Sequence, residues 1–487
     1  MSVTRLCSAI ALLAVAVGDV RAYNANDRWQ FTATDGVVAA SEPVTLTWGL
    51  VPDGTTTPGL SGMQSAPSNL VASLDGWFGD GGGGGADLTT RPWFAQVESA
   101  FDRWAELSGV TFVYEPADDG LPHGFNVGQI GTRADVRLAG RAIDGTVGNN
   151  VGTLAFAINP DSGDLTFDTS DTAYYSNPAS NAFGLRHTLM HEIGHSLGLG
   201  HISSTNAAIL MEPQPQTRFD GPQLDDVRGV HYLYGDAMEP LGGDTGLTAL
   251  DFGQLTIGDT LTVGADGKNS QVIAFSADDF VSLHRDTDED FYAFDVPAGS
   301  EVLATLTPVG STYNQRILTG DPFEVIRSRE AADLVLSGSA PNSSVVSIDA
   351  TDAGSAETLR LVANESGRIE IGVSGNAFAA LPVQMYRLNI EVREAPLTGD
   401  YNGDGQVDAL DYTAWRDTLG SEVELAADGD GSGIIDPADR DLWAANYGAS
   451  PAATSIPEPK ASGSALLAAL GTCLAAGKTG QIGRQTH

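Results

Sequence analysis

The sequence predicts a multidomain chain: an α+β domain with a twisted sheet and long helices, then an all-β sandwich, then a small α-helical pair of acidic loops. Three observations carry that prediction. Before Gly235, strand-like runs alternate with stretches whose apolar residues recur every three or four positions. Beyond Gly235 the chain turns to short alternating runs separated by turn residues. Near residues 400 and 428 one twelve-residue acidic pattern occurs twice. At 487 residues the chain is too long for a single core and suggests three or four domains.

Residues 1–22 read as a signal peptide: Arg5 precedes an apolar run from Leu6 to Val17, and Val20-Arg21-Ala22 offers small residues for cleavage after Ala22. Composition narrows the partners. With 63 acidic against 25 basic residues the net charge is −38, which repels nucleic acid and anionic membranes and favours cation binding. Cys7 and Cys473 stand near opposite ends, so no disulfide framework holds the folded part together.

Residues 23–235 read as one domain. Pro43 to Trp48 and Thr111 to Tyr114 are strand-like, and a helix is expected from Trp93 to Leu107, where Phe94, Val97, Phe101 and Trp104 form an apolar stripe. The run Gly81 to Gly85 reads as a flexible loop. A second helix, capped near Ser180 or Asn181, carries Leu189, Ile193 and Leu197 inward and the stretch His191-Glu192-Ile193-Gly194-His195-Ser196-Leu197-Gly198-Leu199-Gly200-His201. Four residues of helix put His191 and His195 on one face, within reach of the same ion. Gly198 allows a left-handed turn that swings His201 round as a third ligand. Three protein ligands leave a fourth position for water, the mark of a catalytic zinc site. Glu192 lies beside the ion as the general base and acid. His187, one turn before His191, reads as structural or supporting because the ligand set is already complete.

This signature, with Met211 downstream in HISSTNAAILMEP and Leu224 to Gly235 ending in Leu-Tyr-Gly, resembles the metzincin zinc peptidases, and within them the matrixins. The resemblance implies one catalytic zinc on His191, His195 and His201, Met211 as an apolar floor beneath them, and peptide or protein substrates. It also implies that Pro213, in the segment Glu212 to Gln216, lines the pocket for the residue after the scissile bond. Leu154 and Ala155, in Gly152 to Ala157, would belong to an edge strand that pairs with extended substrate. Two departures are visible. The family's second zinc is not expected, since Phe156 and Thr166 stand where its histidines would be; and no cysteine between Cys7 and Cys473 can act as a cysteine switch. Asp135, Asp164 and Asp168 stand near the family's structural metals, which leaves further calcium in this domain open.

Residues 236–246 read as a linker and 247–395 as the sandwich, with strand-like Phe291 to Val296, Val302 to Leu306, Ile369 to Val373 and Tyr386 to Val392. Asp286-Thr287-Asp288-Glu289-Asp290-Phe291-Tyr292, followed by Val296-Pro297-Ala298-Gly299, resembles the pre-peptidase C-terminal domains of secreted bacterial peptidases. Its acidic cluster either binds calcium or forms a solvated turn. In 396–448, Asp400, Asn402, Asp404, Asp408 and Asp411 fill loop positions 1, 3, 5, 9 and 12, with Gln406 at 7. Asp428, Asp430, Ser432, Ile434, Asp436 and Asp439 repeat the pattern. Each loop precedes a short helix with a tryptophan, Trp415 or Trp443, and the pair resembles a dockerin, which implies two calcium ions and a cohesin-like partner. After a linker at 449–455, residues 456–487 resemble a PEP-CTERM sorting tail: Pro457-Glu458-Pro459, an apolar run from Ala461 to Gly477, then Lys478 and Arg484. That tail is the one expected contact with an envelope membrane; a disordered tail is the alternative.

Together these features predict a secreted or envelope-associated zinc endopeptidase. The rival is a surface adhesion or scaffold protein with a vestigial peptidase domain, acting through its sandwich and dockerin-like modules. Glu192 separates the two, because a remnant would tend to lose that carboxylate or a ligand first.

Overall fold

The computed structural model describes residues 23–450, apart from 26, 60–63, 83–84, 125, 145–151, 178–180, 244, 268–271, 311, 377 and 379–380. The expected signal peptide (1–22), the sorting tail (456–487) and most of the linker before it lie outside the described residues. Two compact units emerge, one ending at Ala395 and one beginning at Pro396.

In the first unit a five-stranded sheet is built from β1 (Val44–Leu50), β2 (Val110–Tyr114), β3 (Val136–Arg141), β4 (Ala155–Ala157) and β5 (Leu165–Asp168), in the order β2-β1-β3-β5-β4. All pairs are parallel except β4 with β5, where Phe156 faces Thr166. β4 is therefore an edge strand. Helices α1 (Leu70–Phe78), α2 (Phe94–Glu106), α3 (Phe183–Ser196) and α4 (Leu224–Tyr234) accompany the sheet. The α2 stripe of Phe94, Val97, Phe101 and Trp104 is buried, with the Trp48 ring of β1 stacked 4.5 Å from Phe101. Burying such aromatic side chains stabilises each by roughly 1.5–3 kcal/mol. Trp104 also donates from its indole nitrogen to the Met190 carbonyl at 2.9 Å, fixing α2 against α3.

The start of α3 differs from expectation. It begins at Phe183, and its cap is Ala182 in left-handed conformation with φ 57°, preceded by Asn181 at φ 49°. The chain reverses here through backbone geometry, with no side-chain cap.

Beyond Gly235 two sheets form. One runs β6 (Leu250–Gln254), β9 (Asp290–Val296), β16 (Gly367–Asn376), β13 (Asp333–Ser339), β14 (Val346–Ile348). The other runs β7 (Thr260–Val263), β17 (Gln384–Glu394), β10 (Ser300–Pro308), β15 (Glu357–Ala363), with β8 (Val281–Leu283) also on β17. Tyr386, Leu388, Ile390 and Val392 of β17 point into a shared core with Val302, Leu306, Ile369 and Ile371. A hairpin of β11 (Thr312–Gln315) and β12 (Glu324–Arg327) stands apart from both sheets.

The stretch 236–246 is not a free tether. Asp236 is buried and accepts from the Ser282 and Met238 backbone nitrogens, both at 2.8 Å. Ile273, Phe280, Val309, Tyr313, Ile326, Val383 and Met385 belong to the same hydrophobic cluster as Leu224, Val227 and Val230 of α4. The sandwich thus completes the core of the segment before it.

In the second unit, α5 (Ala409–Thr418) and α6 (Pro437–Asn446) each follow one acidic loop. Asp408 with Asp411, and Asp436 with Asp439, form matching capping boxes. Trp415 donates to the Asp436 carbonyl at 2.8 Å and Trp443 to the Asp408 carbonyl at 2.7 Å, an approximately twofold exchange. The core is small: Tyr401, Trp415, Ala427 and Ile435.

Candidate active site

Helix α3 projects His191 and His195 from adjacent turns toward a cleft, and the chain after Gly198 returns His201 to meet them. His201 Nε2 lies 3.2 Å from His191 Nε2 and 3.1 Å from His195 Nε2. The other ring nitrogens are spoken for: His191 Nδ1 donates to the Leu210 carbonyl at 2.8 Å and His195 Nδ1 to the Leu199 carbonyl at 2.7 Å. With its Nδ1 proton committed, each of these two rings presents an Nε2 lone pair to the same point. Burial pushes all three imidazoles below their ordinary range, His195 to about 4, so they remain neutral donors. Zinc–nitrogen bonds of about 2.0–2.1 Å at tetrahedral angles separate two donor nitrogens by about 3.3–3.4 Å. The triad therefore fits a zinc ion.

Gly198 is required twice over. Its φ is +103°, and a Cβ there would sit 1.9 Å from the Asp27 carbonyl oxygen. The tight passage lets Asn24 and Asp27 lie on the return: Gly200 N donates to Asn24 O at 2.6 Å, and Asn24 Nδ2 donates to His201 O at 3.1 Å.

Met211 is buried below the triad, its sulfur so close to Gly194 that a Cβ at that glycine would meet it at 2.4 Å. Its turn is held by Asp226 of α4, whose carboxylate accepts from Leu210 N at 2.7 Å, Met211 N at 3.1 Å and Gln223 N at 2.8 Å. Burial lifts Asp226 to about 6 against those three donors. Sequence reasoning passed over this residue. Its signal was present, since Gln223 and Asp226 form a capping box at the start of α4.

Glu192 is buried, and burial raises it to about 8. Its Oε2 has no hydrogen-bond partner among the described residues. The cleft, about 710 Å³, is lined by Leu154 and Ala155 at edge strand β4, by the triad and Glu192, and by Pro213. His187 lines it as well. A strand at the sheet edge among the described residues, a metal-shaped triad and a buried carboxylate thus share one cavity, the equipment for holding an extended chain beside a Lewis acid and a proton acceptor.

The family model described as Matrixin matches residues 85–235. The chain carries a matrixin domain. The chain is 34% identical over 143 residues to Metalloendoproteinase 4-MMP of Arabidopsis thaliana, covering 28% of this chain and 38% of that protein. It is 35% identical over 156 residues to Metalloendoproteinase 1-MMP of the same plant, covering 30% and 39%. Serralysin A of Dickeya chrysanthemi is 29% identical over 183 residues, covering 31% and 34%. The match thus spans about two fifths of each plant protein. A solved structure of TmCBM61 with β-1,4-galactotriose overlays with a TM-score of 0.16 at 15% identity, covering 28% of this chain and 81% of that one, too low to argue a shared fold. The matrixin family implies a catalytic zinc, and the triad lies inside the matched residues.

Asp135, Asp164 and Asp168 each accept hydrogen bonds from backbone N–H groups. Asp135 accepts from Ala33 N and Thr47 N, Asp164 from Gly124 N and Arg137 N, and Asp168 from Ile143 N, Asp144 N and Ser170 N. Their oxygens tie loops to the sheet, and among the described residues none joins a metal-sized cluster.

In the second unit, Asp428, Asp430 and Asp439 bring oxygens within 4.8 Å of one another. Asp400 accepts from Gly403 N, Asp404 N and Gly405 N, while Asp411 accepts from Tyr401 N, Asn402 N and Asp408 N. In the second loop Ser432 Oγ donates to Ile434 O at 3.0 Å, and Asp436 Oδ1 caps Ala438 N at 2.6 Å.

Proposed function

We propose that the chain is a secreted or envelope-associated zinc endopeptidase. The observation that carries this reading is the convergence of three neutral imidazole nitrogens beside the buried carboxylate of Glu192, in a cleft bounded by an edge strand. When bound, zinc would supply Lewis-acid polarisation of the peptide carbonyl and make water a nucleophile near neutral pH. This chain's own residues do the rest. An extended substrate lies along β4, adding a strand through its backbone groups near Leu154 and Ala155. Pro213 lines the same cleft. Glu192, desolvated and otherwise unpartnered on one oxygen, accepts the proton of the attacking water and hands it to the departing amine nitrogen. The Leu210 and Leu199 carbonyls keep two histidines in the tautomer the site needs.

The two acidic loops are proposed to take one calcium each, through Asp400, Asn402, Asp404, Gln406, Asp408 and Asp411, and through Asp428, Asp430, Ser432, Ile434, Asp436 and Asp439. Support comes from their spacing and matched capping boxes; docking to a cohesin-like partner follows from the sequence resemblance. Export rests on the sequence of the first 22 residues.

The test is metal content and cleavage of a denatured-protein digest by the full chain, against Glu192→Ala and against a zinc chelator. Zinc near one per chain, with cleavage lost in both comparisons, is expected. Equal cleavage by Glu192→Ala, or no zinc in the wild type, overturns the proposal.

A further inference from the structure

Tyr175 is fully buried, in the helical turn Thr172–Tyr175 that follows β5 in the chain. Its hydroxyl donates to the Leu154 carbonyl at 2.6 Å, and the same carbonyl accepts from Asp168 N of β5 at 2.7 Å. Leu154 immediately precedes β4 and lines the cleft. One carbonyl thus receives a bond from the sheet and a second from a side chain that no sheet pairing requires. The ring that carries the hydroxyl is itself fixed. Trp77 of α1 stacks on it with centroids 5.1 Å apart and planes 24° apart, and Phe167 of β5 and Tyr174 meet it edge-on at 5.9 Å and 5.3 Å. Burial, and then the neighbouring Tyr174, Asp171 and Glu192, push the phenol well above its ordinary range, so it stays a donor.

The edge strand needs such a hold. β4 has three residues and among the described residues pairs with β5 alone. A short strand bonded on one side frays readily, since few contacts oppose the backbone entropy gained on release. Beyond its last residue Ile158 N donates to Asp164 O at 2.9 Å, and before its first the Leu154 carbonyl is the anchor. A peptide that adds to β4 finds backbone groups already in line only if both ends are held. Ordering a frayed strand at the moment of binding weakens the complex.

Resting on the endopeptidase reading, we propose that Tyr175 is a positioning residue for substrate: through the Leu154 carbonyl it holds β4 in the conformation on which an extended peptide is laid. Its bond ends on the strand and on no reacting atom, so it acts on ground-state and transition-state binding alike. Loss of the hydroxyl is therefore felt in KM and leaves kcat in place.

The test uses the zinc-loaded full chain and Tyr175→Phe, which removes the hydroxyl and keeps the ring. A peptide library read by mass spectrometry supplies a cleaved sequence, which is then trimmed in turn from each end; the end whose loss raises KM in the wild type is the one laid on β4. With the long peptide, Tyr175→Phe should raise KM about three- to tenfold, the change that one hydrogen bond commands, and hold kcat within about twofold. With the peptide trimmed at the β4 end the two proteins should match. A general loosening of the fold would instead lower kcat or change both peptides alike. A fall in kcat, a KM unchanged with the long peptide or raised equally with both, or a wild type indifferent to trimming overturns the assignment. Should Tyr175→Phe fail to fold, Trp77→Leu, which keeps the hydroxyl and removes the ring stacked on it, decides by the same comparison. No cleavage of any library peptide overturns the endopeptidase reading instead.

Discussion

Adding one methyl group at Gly198 is the sharpest way to ask whether the return of the chain holds His201 in place. In Gly198→Ala the new Cβ meets Asp27 O at 1.9 Å, whereas carbon and carbonyl oxygen ordinarily approach to about 3.3 Å, so one strand must retreat by about 1.4 Å. The left-handed conformation itself costs a non-glycine residue about 1–2 kcal/mol. The retreat strains the Gly200–Asn24 and Asn24–His201 hydrogen bonds, each contributing about 0.5–1.5 kcal/mol. The total is about 2–5 kcal/mol. Because one of the strained bonds ends on His201, zinc affinity should fall about tenfold or more. Gly36→Ala is the control: its φ is +72°, but nothing lies within 4 Å of the new Cβ, so only the conformational part of about 1–2 kcal/mol applies. Urea unfolding of the metal-free chains and competitive zinc titration measure both quantities. Equal stability loss in the two variants, with zinc affinity unchanged in Gly198→Ala, would refute the reasoning.

Glu192→Gln should keep its zinc, measured by metal analysis, and lower kcat/KM by about 10²–10⁴ against any cleaved peptide. His284 gives a pH signature. Burial alone would lower it, but hydrogen bonding and charge from Asp288 and Glu239 raise it to about 10. Its contribution is fully present below about pH 6.5 and is lost as pH rises toward 10, so denaturation midpoints should fall over that window and His284→Gln should flatten the fall. In the second unit a core of Tyr401, Trp415, Ala427 and Ile435 is too small to be stable alone. Calorimetry of the full chain should therefore show a transition that shifts up with calcium, and by less in Asp439→Ala, which disables one loop of the two. A chain ended at Gly235 should melt lower and self-associate by light scattering relative to one ended at Ala395, since Leu224 and its neighbours lose their cover.

Local periodicity made much of the matrixin domain legible. The three-and-four spacing of Phe94, Val97, Phe101 and Trp104 depends on one helix meeting one sheet, and all four are buried. The histidine spacing is equally local. What stayed hidden depends on partners far along the chain. Asp236 reads as a polar residue in a linker, but its carboxylate accepts from Ser282, 46 residues away. Asp135, Asp164 and Asp168 carry oxygen chemistry that suits calcium or backbone N–H groups, and the N–H donors they meet come from residues as far as 102 positions away. At the start of α3, the left-handed pair Asn181 and Ala182 displaced the side-chain cap that composition suggested.

The same long-range contacts change how the sandwich should be regarded. Two residues after His201, Ser203 exchanges backbone hydrogen bonds with Arg316 at the end of β11, at 2.9 and 3.0 Å. Asn314 then accepts from Thr205 N at 3.0 Å, and the hydroxyl of Tyr313 donates to Asp225, next to the Asp226 that holds the Met211 turn. A hairpin from the sandwich thus grips the chain on both sides of the floor beneath the histidines. His201 is the one member of the triad that lies outside helix α3, so its position has to be held by neighbouring chain. Asn24 does so from one side and β11 supports the loop that follows. A triad whose third arm depends on the start of its own domain and on the sandwich after it can be reshaped from outside the cleft. The sandwich is accordingly part of what sets the geometry of the site.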